Sequence, residues 1–203
     1  MSLRESFIAP HFYRLIEDYL LPGVERVLKT PNRVTLASLV PAALVPFGFF
    51  LHPFLGALMM GLSGTWDCLD GLMARRQGST SLFGAFLDSS LDRVSDTLFL
   101  MGFWVLFWPT DHALWAGILV FLAAVATYMI SYTKARAEGL GLRCDTGLFE
   151  RGTRTLYLII WALILCFTKP VFMEVLWSGL VLFTLLATAT VVQRMVHVWR
   201  ESL

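Results

Sequence analysis

Five aspartates lie inside segments of the chain that are otherwise apolar, and they are the residues best suited to chemistry. Asp67 and Asp70 interrupt one apolar run, and Asp88, Asp92 and Asp96 interrupt the next. An ionised carboxylate near the centre of a bilayer costs about 2.5–3.5 kcal/mol even on a lenient scale. These side chains must therefore face a cavity, a cation or basic groups rather than lipid.

The spacing of the first four aspartates predicts that they converge. A short polar turn around Gly78 joins the two runs, which predicts an antiparallel helix pair with Asp67 and Asp88 at nearly equal depth. Asp70 follows Asp67 by three residues and Asp92 follows Asp88 by four, so each pair shares a helix face. Four carboxylates in a low-dielectric volume require a multivalent cation. All-oxygen ligation favours Mg²⁺, Mn²⁺ or Ca²⁺ over zinc.

The composition is that of a membrane protein. Of 203 residues, 57% are hydrophobic and 15% charged, against about 45–50% and about 25% in soluble domains. The net charge of +1 gives no argument for nucleic acid as a partner, and the three widely spaced cysteines form neither a zinc motif nor a disulfide framework. We predict an all-α integral membrane protein with six transmembrane helices, near residues 34–50, 54–74, 82–107, 113–133, 155–168 and 171–192.

The basic residues predict the orientation of these helices. Every Lys and Arg except Lys169 is assigned to the side of the membrane that carries both chain termini. Positive charge marks the cytoplasmic side. The pattern therefore predicts a multi-pass protein of the inner (cytoplasmic) membrane, with the aspartates near its cytoplasmic face.

The N-terminal sequence predicts a helix separate from the transmembrane domain. Residues 1–30 are expected to form an amphipathic helix on the cytoplasmic membrane surface, and residues 31–203 the six-helix transmembrane domain. The apolar residues that recur at a helical period are Ile8, Phe12, Leu15, Ile16, Tyr19 and Leu20. The alternative is a soluble arm packed on the body of the protein.

The two acidic runs also carry a longer motif. The pattern Asp67-x-x-Asp70-Gly71-x-x-Ala74-Arg75, then eight residues, then Gly84-x-x-x-Asp88-x-x-x-Asp92, resembles the signature of the CDP-alcohol phosphotransferases. The resemblance implies a homodimeric enzyme that transfers a phosphatidyl-type group from a CDP-linked lipid to an alcohol and releases CMP. It implies two divalent ions, Mg²⁺ or Mn²⁺, bound by Asp67, Asp70 and Asp88. Asp92 would act as the general base and also contact the metal.

The resemblance also implies where the cytidine diphosphate binds. Gly71, Ala74 and Arg75 would line its pocket. Asn32 and Thr35, in the segment Pro31-Asn32-x-x-Thr35, resemble the family's nucleotide-contacting residues at the start of the first span. Taken alone, that segment is equally well explained as a Pro-Asn turn in which Thr caps a helix.

A narrower resemblance concerns the acceptor. Residues 84–93 and 131–139, together with two Arg-containing motifs nearer the C-terminus, resemble the phosphatidylinositol phosphate synthases of actinobacteria and their archaeal archaetidylinositol counterparts. Gly152 and Thr153 depart from the Pro-Glu of many relatives. The resemblance implies an inositol phosphate acceptor, bound by Ser131, Lys134, Arg154 and Arg194. Three cations at one site suit a phosphate dianion.

Alternatives stay open at this point. Glycerol 3-phosphate would use a cationic pocket too, although the enzymes that use it usually carry Pro where Ser89 stands. The lipid donor is either CDP-diacylglycerol or CDP-archaeol. A divalent cation transporter is a third possibility, but the outer halves of the predicted spans contain almost no ionisable residue to continue a polar path.

Overall fold

The described part of the chain, residues 14–202 of a computed structural model, is all-helical and contains no strand. A π-helical turn, Ile16–Leu20, leads into α1 (Leu21–Leu28). Then follow α2 (Pro31–Leu51), α3 (Pro53–Arg76) and α4 (Leu82–Val105). The rest of the chain forms α5 (Ala113–Gly139), α6 (Arg151–Leu165), a 3₁₀ turn (Lys169–Val171) and α7 (Phe172–Glu201). The chain divides into two compact units, Met1–Gly102 and Phe103–Leu203.

Within residues 14–202, three helical segments are long and apolar enough to cross a membrane by length and composition. They are Pro31–Leu51, Ala113–Gly139 and Lys169–Glu201. Helices α3 and α4 carry the aspartates, and α6 has 15 residues, which is short of the roughly 20 needed to span a bilayer upright. Each of the six predicted apolar runs nevertheless corresponds to one helix, α2 to α7.

The helix ends differ from the prediction where polar residues continue a helix. Helix α5 runs on to Gly139 and α7 to Glu201, so Lys134 and Arg194 lie within helices rather than after them. Helix α6 begins at Arg151, four residues before the predicted start. A helix satisfies its own backbone hydrogen bonds, so it need not end where the apolar run ends.

Within the first unit, the described part of the N-terminal segment packs against α2 and α3. Ile16 and Leu21 are buried in a cluster with Val34, Leu69 and Met73, which belong to α2 and α3. The π turn explains the spacing, because the Leu21 N–H bonds to the Ile16 carbonyl and brings these side chains to one face. Three other residues of the predicted apolar face, Leu15, Tyr19 and Leu20, are exposed. Ile8 and Phe12 lie outside the described residues.

In the second unit, α6 and α7 cross closely at Gly179. A Cβ atom at this position would overlap the Trp161 indole at Nε1. The Tyr157 hydroxyl donates a hydrogen bond to the Gly179 carbonyl at 2.8 Å, and the Tyr157 and Trp161 rings stack with centroids 5.7 Å apart. The indole therefore takes the place that any side chain at residue 179 would need.

Gly179→Ala should lower the stability of the protein by about 1–3 kcal/mol, because the added methyl forces Trp161 out of its position. Gly61→Ala is the matched control, since a Cβ there has no atom within 4 Å and alanine favours a helix over glycine by about 1 kcal/mol. The measurement is the unfolding temperature of each variant in detergent. Equal unfolding temperatures would show that the crossing at Gly179 tolerates a side chain.

Candidate metal and nucleotide site

A tight turn joins α3 to α4 and sets the two acidic helices antiparallel. Gly78 has φ +59°, a conformation that favours glycine, and the Ser79 N–H bonds to the Ala74 carbonyl at 3.0 Å. The Ser81 hydroxyl then accepts a hydrogen bond from the Gly84 N–H at 3.0 Å and caps α4. Local sequence thus ends one helix and starts the next within a few residues, as the prediction required.

Three of the four predicted metal ligands converge. Asp67, Asp88 and Asp92 each offer one carboxylate oxygen, and these oxygens lie within 4.8 Å of one another. Asp70 is buried at 6% exposure, and its Oδ2 has no hydrogen-bond partner among the described residues. Like charges at such distances repel strongly, and a buried carboxylate oxygen without a partner is costly.

These residues fit a divalent metal. The donors are all carboxylate oxygens, which Mg²⁺ and Mn²⁺ prefer, and a cation would neutralise their repulsion and satisfy the Asp70 oxygen. Arg93 Nη2 lies 3.8 Å from Asp92 Oδ2, which is a long contact that contributes little by itself.

A cavity of about 180 Å³ adjoins the aspartates. All five predicted nucleotide-binding residues line it, together with Asp70 and Asp88. Its lining consists of Pro31, Asn32, Thr35, Asp70, Gly71, Ala74, Arg75, Ser79, Thr80, Ser81, Gly84, Ala85 and Asp88. The first turns of α2 and α4 both border the cavity. Helix N-termini and the Arg75 guanidinium favour an anion, so the cavity suits a diphosphate.

The geometry also decides what Thr35 does. Helix α2 starts with Pro31 in its first turn, so Thr35 lies one turn inside, and its hydroxyl donates to the Pro31 carbonyl at 3.1 Å. The alternative in which Thr35 caps the helix is therefore wrong. Thr35 is buried, lines the cavity and lies beside the Asp70 carboxyl.

Six cavity residues were not predicted as binding residues from the sequence: Pro31, Ser79, Thr80, Ser81, Gly84 and Ala85. Ser79, Thr80 and Ser81 form the polar turn between the two halves of the acidic motif, and this position in the sequence was the signal that could have identified them. Gly84 contributes by its small size, since a Cβ there would lie 3.3 Å from Asn32 Oδ1. The glycine allows the first turn of α4 to approach α2.

The four predicted acceptor residues lie in the second unit. Arg154 and Arg194 are buried at 2% and 4% exposure. Arg154 Nη1 donates to the Phe149 carbonyl at 3.0 Å, and Arg194 donates to the carbonyls of Thr146 and Ile130. The two guanidinium groups are close enough to interact electrostatically. Glu150 and Glu138 also lie close enough to act on Arg194 and offset part of this repulsion.

The other two acceptor residues lie on α5. Ser131 is half-buried. Lys134 Nζ lies 3.3 Å from Asp145 Oδ1 and 3.7 Å from Glu138 Oε1. Because these partners are largely exposed, the ion pairs are weak.

The chain belongs to the CDP-alcohol phosphatidyltransferase family, which it matches over residues 28–193. It is therefore a membrane-associated, metal-binding transferase of phospholipid biosynthesis. Family membership favours an enzyme over the cation transporter that the sequence left open.

Two curated relatives are similar over most of their length. The archaetidylinositol phosphate synthase of Methanothermobacter thermautotrophicus is 31% identical, with 98% of each chain covered. The phosphatidylinositol phosphate synthase of Mycobacterium tuberculosis is 35% identical, over 95% of this chain and 90% of the relative.

Crystal structures of the mycobacterial enzyme have similar folds. The one with bound CDP-DAG has a TM-score of 0.72 at 33% identity and covers 89% of this chain and 92% of its own. The one in complex with manganese and citrate has a TM-score of 0.76 at 33% identity, over 89% of this chain and 87% of its own.

Proposed function

We propose that this protein transfers the phosphatidyl-type group of CDP-diacylglycerol, or of CDP-archaeol, to a hydroxyl of inositol phosphate and releases CMP. The observation that carries the proposal is the acidic cluster beside a cavity bordered by two helix N-termini. Relatives named for inositol phosphate products, with 31% and 35% identity over nearly the whole chain, support the acceptor.

In this proposal, part of the cavity lining and the acidic cluster together bind the donor. Asn32, Thr35, Gly71, Ala74 and Arg75 bind the cytidine diphosphate. Asp67, Asp70, Asp88 and Asp92 hold two Mg²⁺ or Mn²⁺ ions. When bound, these ions neutralise the diphosphate and hold it in line for attack.

Asp92 is the proposed general base. Its carboxylate accepts the proton of the acceptor hydroxyl as that oxygen attacks the phosphorus next to the lipid. The bond between this phosphorus and the bridging oxygen of the diphosphate breaks, and CMP leaves with the bridging oxygen on its phosphate. The acceptor phosphate is bound by Ser131, Lys134, Arg154 and Arg194. The planar guanidinium groups of the two arginines match the geometry of a phosphate.

We also propose an arrangement in the membrane, which the distribution of charge and exposed apolar side chains supports. We place α2 to α7 across the inner membrane, with the site at its cytoplasmic face and the protein as a homodimer. A nucleotide then enters from water while the lipid chains stay in the bilayer. The exposed Leu15, Tyr19 and Leu20 side chains suit an N-terminal segment that lies at the membrane surface.

The test of the function is CMP release by purified protein supplied with CDP-diacylglycerol, Mg²⁺ and one acceptor at a time. Inositol phosphate should support turnover, whereas free inositol and serine should not, because a neutral or zwitterionic acceptor leaves the buried arginines without a dianion. Turnover with glycerol 3-phosphate but not with inositol phosphate would establish the alternative acceptor.

Arg194→Ala should raise the KM for inositol phosphate by about 10- to 100-fold, the value of a lost hydrogen bond between charged groups. The KM for CDP-diacylglycerol should change much less. Arg200→Ala is the matched control, since Arg200 is an exposed cation on the same helix. Steady-state kinetics with each substrate varied in turn measure both KM values. An unchanged acceptor KM in Arg194→Ala would contradict the assigned pocket.

A further inference from the structure

Gly147 lies in the loop between α5 and α6 in a conformation that other residues rarely adopt. Its φ is +150°, which glycine reaches without steric cost. A Cβ atom at this position would lie 3.2 Å from both Nε and Nη2 of Arg194 and 3.1 Å from Thr190 Cγ2. The Arg194 guanidinium thus runs along the bare backbone of Gly147.

The same guanidinium is held on two sides. Its Nε donates to the Thr146 carbonyl at 2.8 Å, and its Nη1 donates to the Ile130 carbonyl on α5. A planar guanidinium group that donates to two carbonyls is held in one orientation. The loop therefore determines the direction in which its remaining N–H groups point. The loop can reach Arg194 in this way because residue 147 has no side chain.

We infer that Gly147 is a positioning residue for the acceptor phosphate. By lacking a side chain, it lets the Thr146 carbonyl close on Arg194 and aim the guanidinium at the ligand. The inference rests on the proposed role of Arg194 in binding inositol phosphate. A methyl at residue 147 would shift the guanidinium by a few tenths of an ångström without removing its charge.

The test compares Gly147→Ala with Gly141→Ala. Gly141 lies in the same loop at φ +81°, and a Cβ there has no atom within 4 Å. Both variants strain the backbone, but only Gly147→Ala crowds Arg194. Gly147→Ala should raise the KM for inositol phosphate by about tenfold, as expected for a misplaced charged hydrogen bond. The KM of Gly147→Ala for CDP-diacylglycerol should stay near that of the parent. Gly141→Ala should have KM values near those of the parent for both substrates.

A double-mutant cycle separates positioning from general damage. In the Arg194→Ala background, Gly147→Ala should cause no further rise in the acceptor KM, because the group it displaces is gone. Equal rises in Gly147→Ala and Gly141→Ala, or full additivity with Arg194→Ala, would overturn the inference and leave the proposed function intact. An unchanged acceptor KM in Arg194→Ala itself would instead refute the assigned acceptor pocket.

If Gly147→Ala does not fold, hydrogen exchange in the parent protein replaces it. Inositol phosphate is the probe. Its binding should slow amide exchange in residues 141–150, because a ligand that engages Arg194 also stabilises the loop that holds it. Unchanged exchange in those residues at a saturating concentration of inositol phosphate would overturn the inference.

Discussion

Asp92→Asn should lower turnover by a factor of about 10²–10⁴, the usual contribution of a positioned general base. The amide has the same shape as the carboxylate but cannot accept the proton of the acceptor hydroxyl. Asp67 and Asp88, whose oxygens lie within 4.8 Å of that of Asp92, remain to hold the metal. Binding of the CDP-linked donor should therefore be largely retained. Single-turnover release of CMP, with donor affinity measured separately, tests both parts.

Asp96→Asn is the matched control for this variant. Asp96 lies on α4 one turn beyond Asp92 and is similarly buried, at 4% against 8% exposure. It lies outside the family motif, so its amide should sustain turnover of the same order as the parent. If Asp92→Asn kept the parent's rate, or if both variants lost the same activity, Asp92 would not be the base.

Removal of divalent metal should abolish turnover, and Mg²⁺ or Mn²⁺ should restore it. Without a cation, the clustered carboxylates repel one another and also repel the diphosphate of the donor. Metal should also stabilise the folded protein, by about 2.7 kcal/mol at a concentration about 100 times its Kd. The measurements are CMP release after chelation and the unfolding temperature with and without Mg²⁺.

Asp88→Asn provides the comparison for the metal effect. Asp88 belongs both to the carboxylate cluster and to the cavity lining, so its loss should weaken metal binding and donor binding together. This variant should lose most of the metal-dependent rise in unfolding temperature. A chelated parent protein that still turned over, or an Asp88→Asn protein stabilised as much as the parent, would contradict the assigned ligands.

The convergence of the acidic residues could be predicted because it depends on short-range features. Gly78 ends one helix, Ser81 starts the next, and the helical repeat then places Asp67 opposite Asp88. The sequence spacing could not predict that the four aspartates differ in position. Asp70 is buried at the cavity, whereas carboxylate oxygens of Asp67, Asp88 and Asp92 cluster together. That difference depends on how α2 packs against α3, which brings Thr35 beside Asp70.

Other features depend on contacts between distant residues. Arg194 bonds to carbonyls 48 and 64 positions earlier in the chain, and no local pattern indicates such a pair. The π turn at Ile16–Leu20 is another case, because burial of Ile16 and Leu21 against α2 and α3 overrides the regular helical period. The turn residues Ser79 and Thr80 join the cavity only because α2 lies beside them.

The most direct test of the central claim is anomalous diffraction from crystals grown with Mn²⁺ and CDP-diacylglycerol. If the carboxylates bind metals that hold the diphosphate, two manganese peaks should lie among Asp67, Asp70, Asp88 and Asp92, each within bonding distance of a phosphate oxygen. A fully bound donor with no manganese at these side chains would contradict the account.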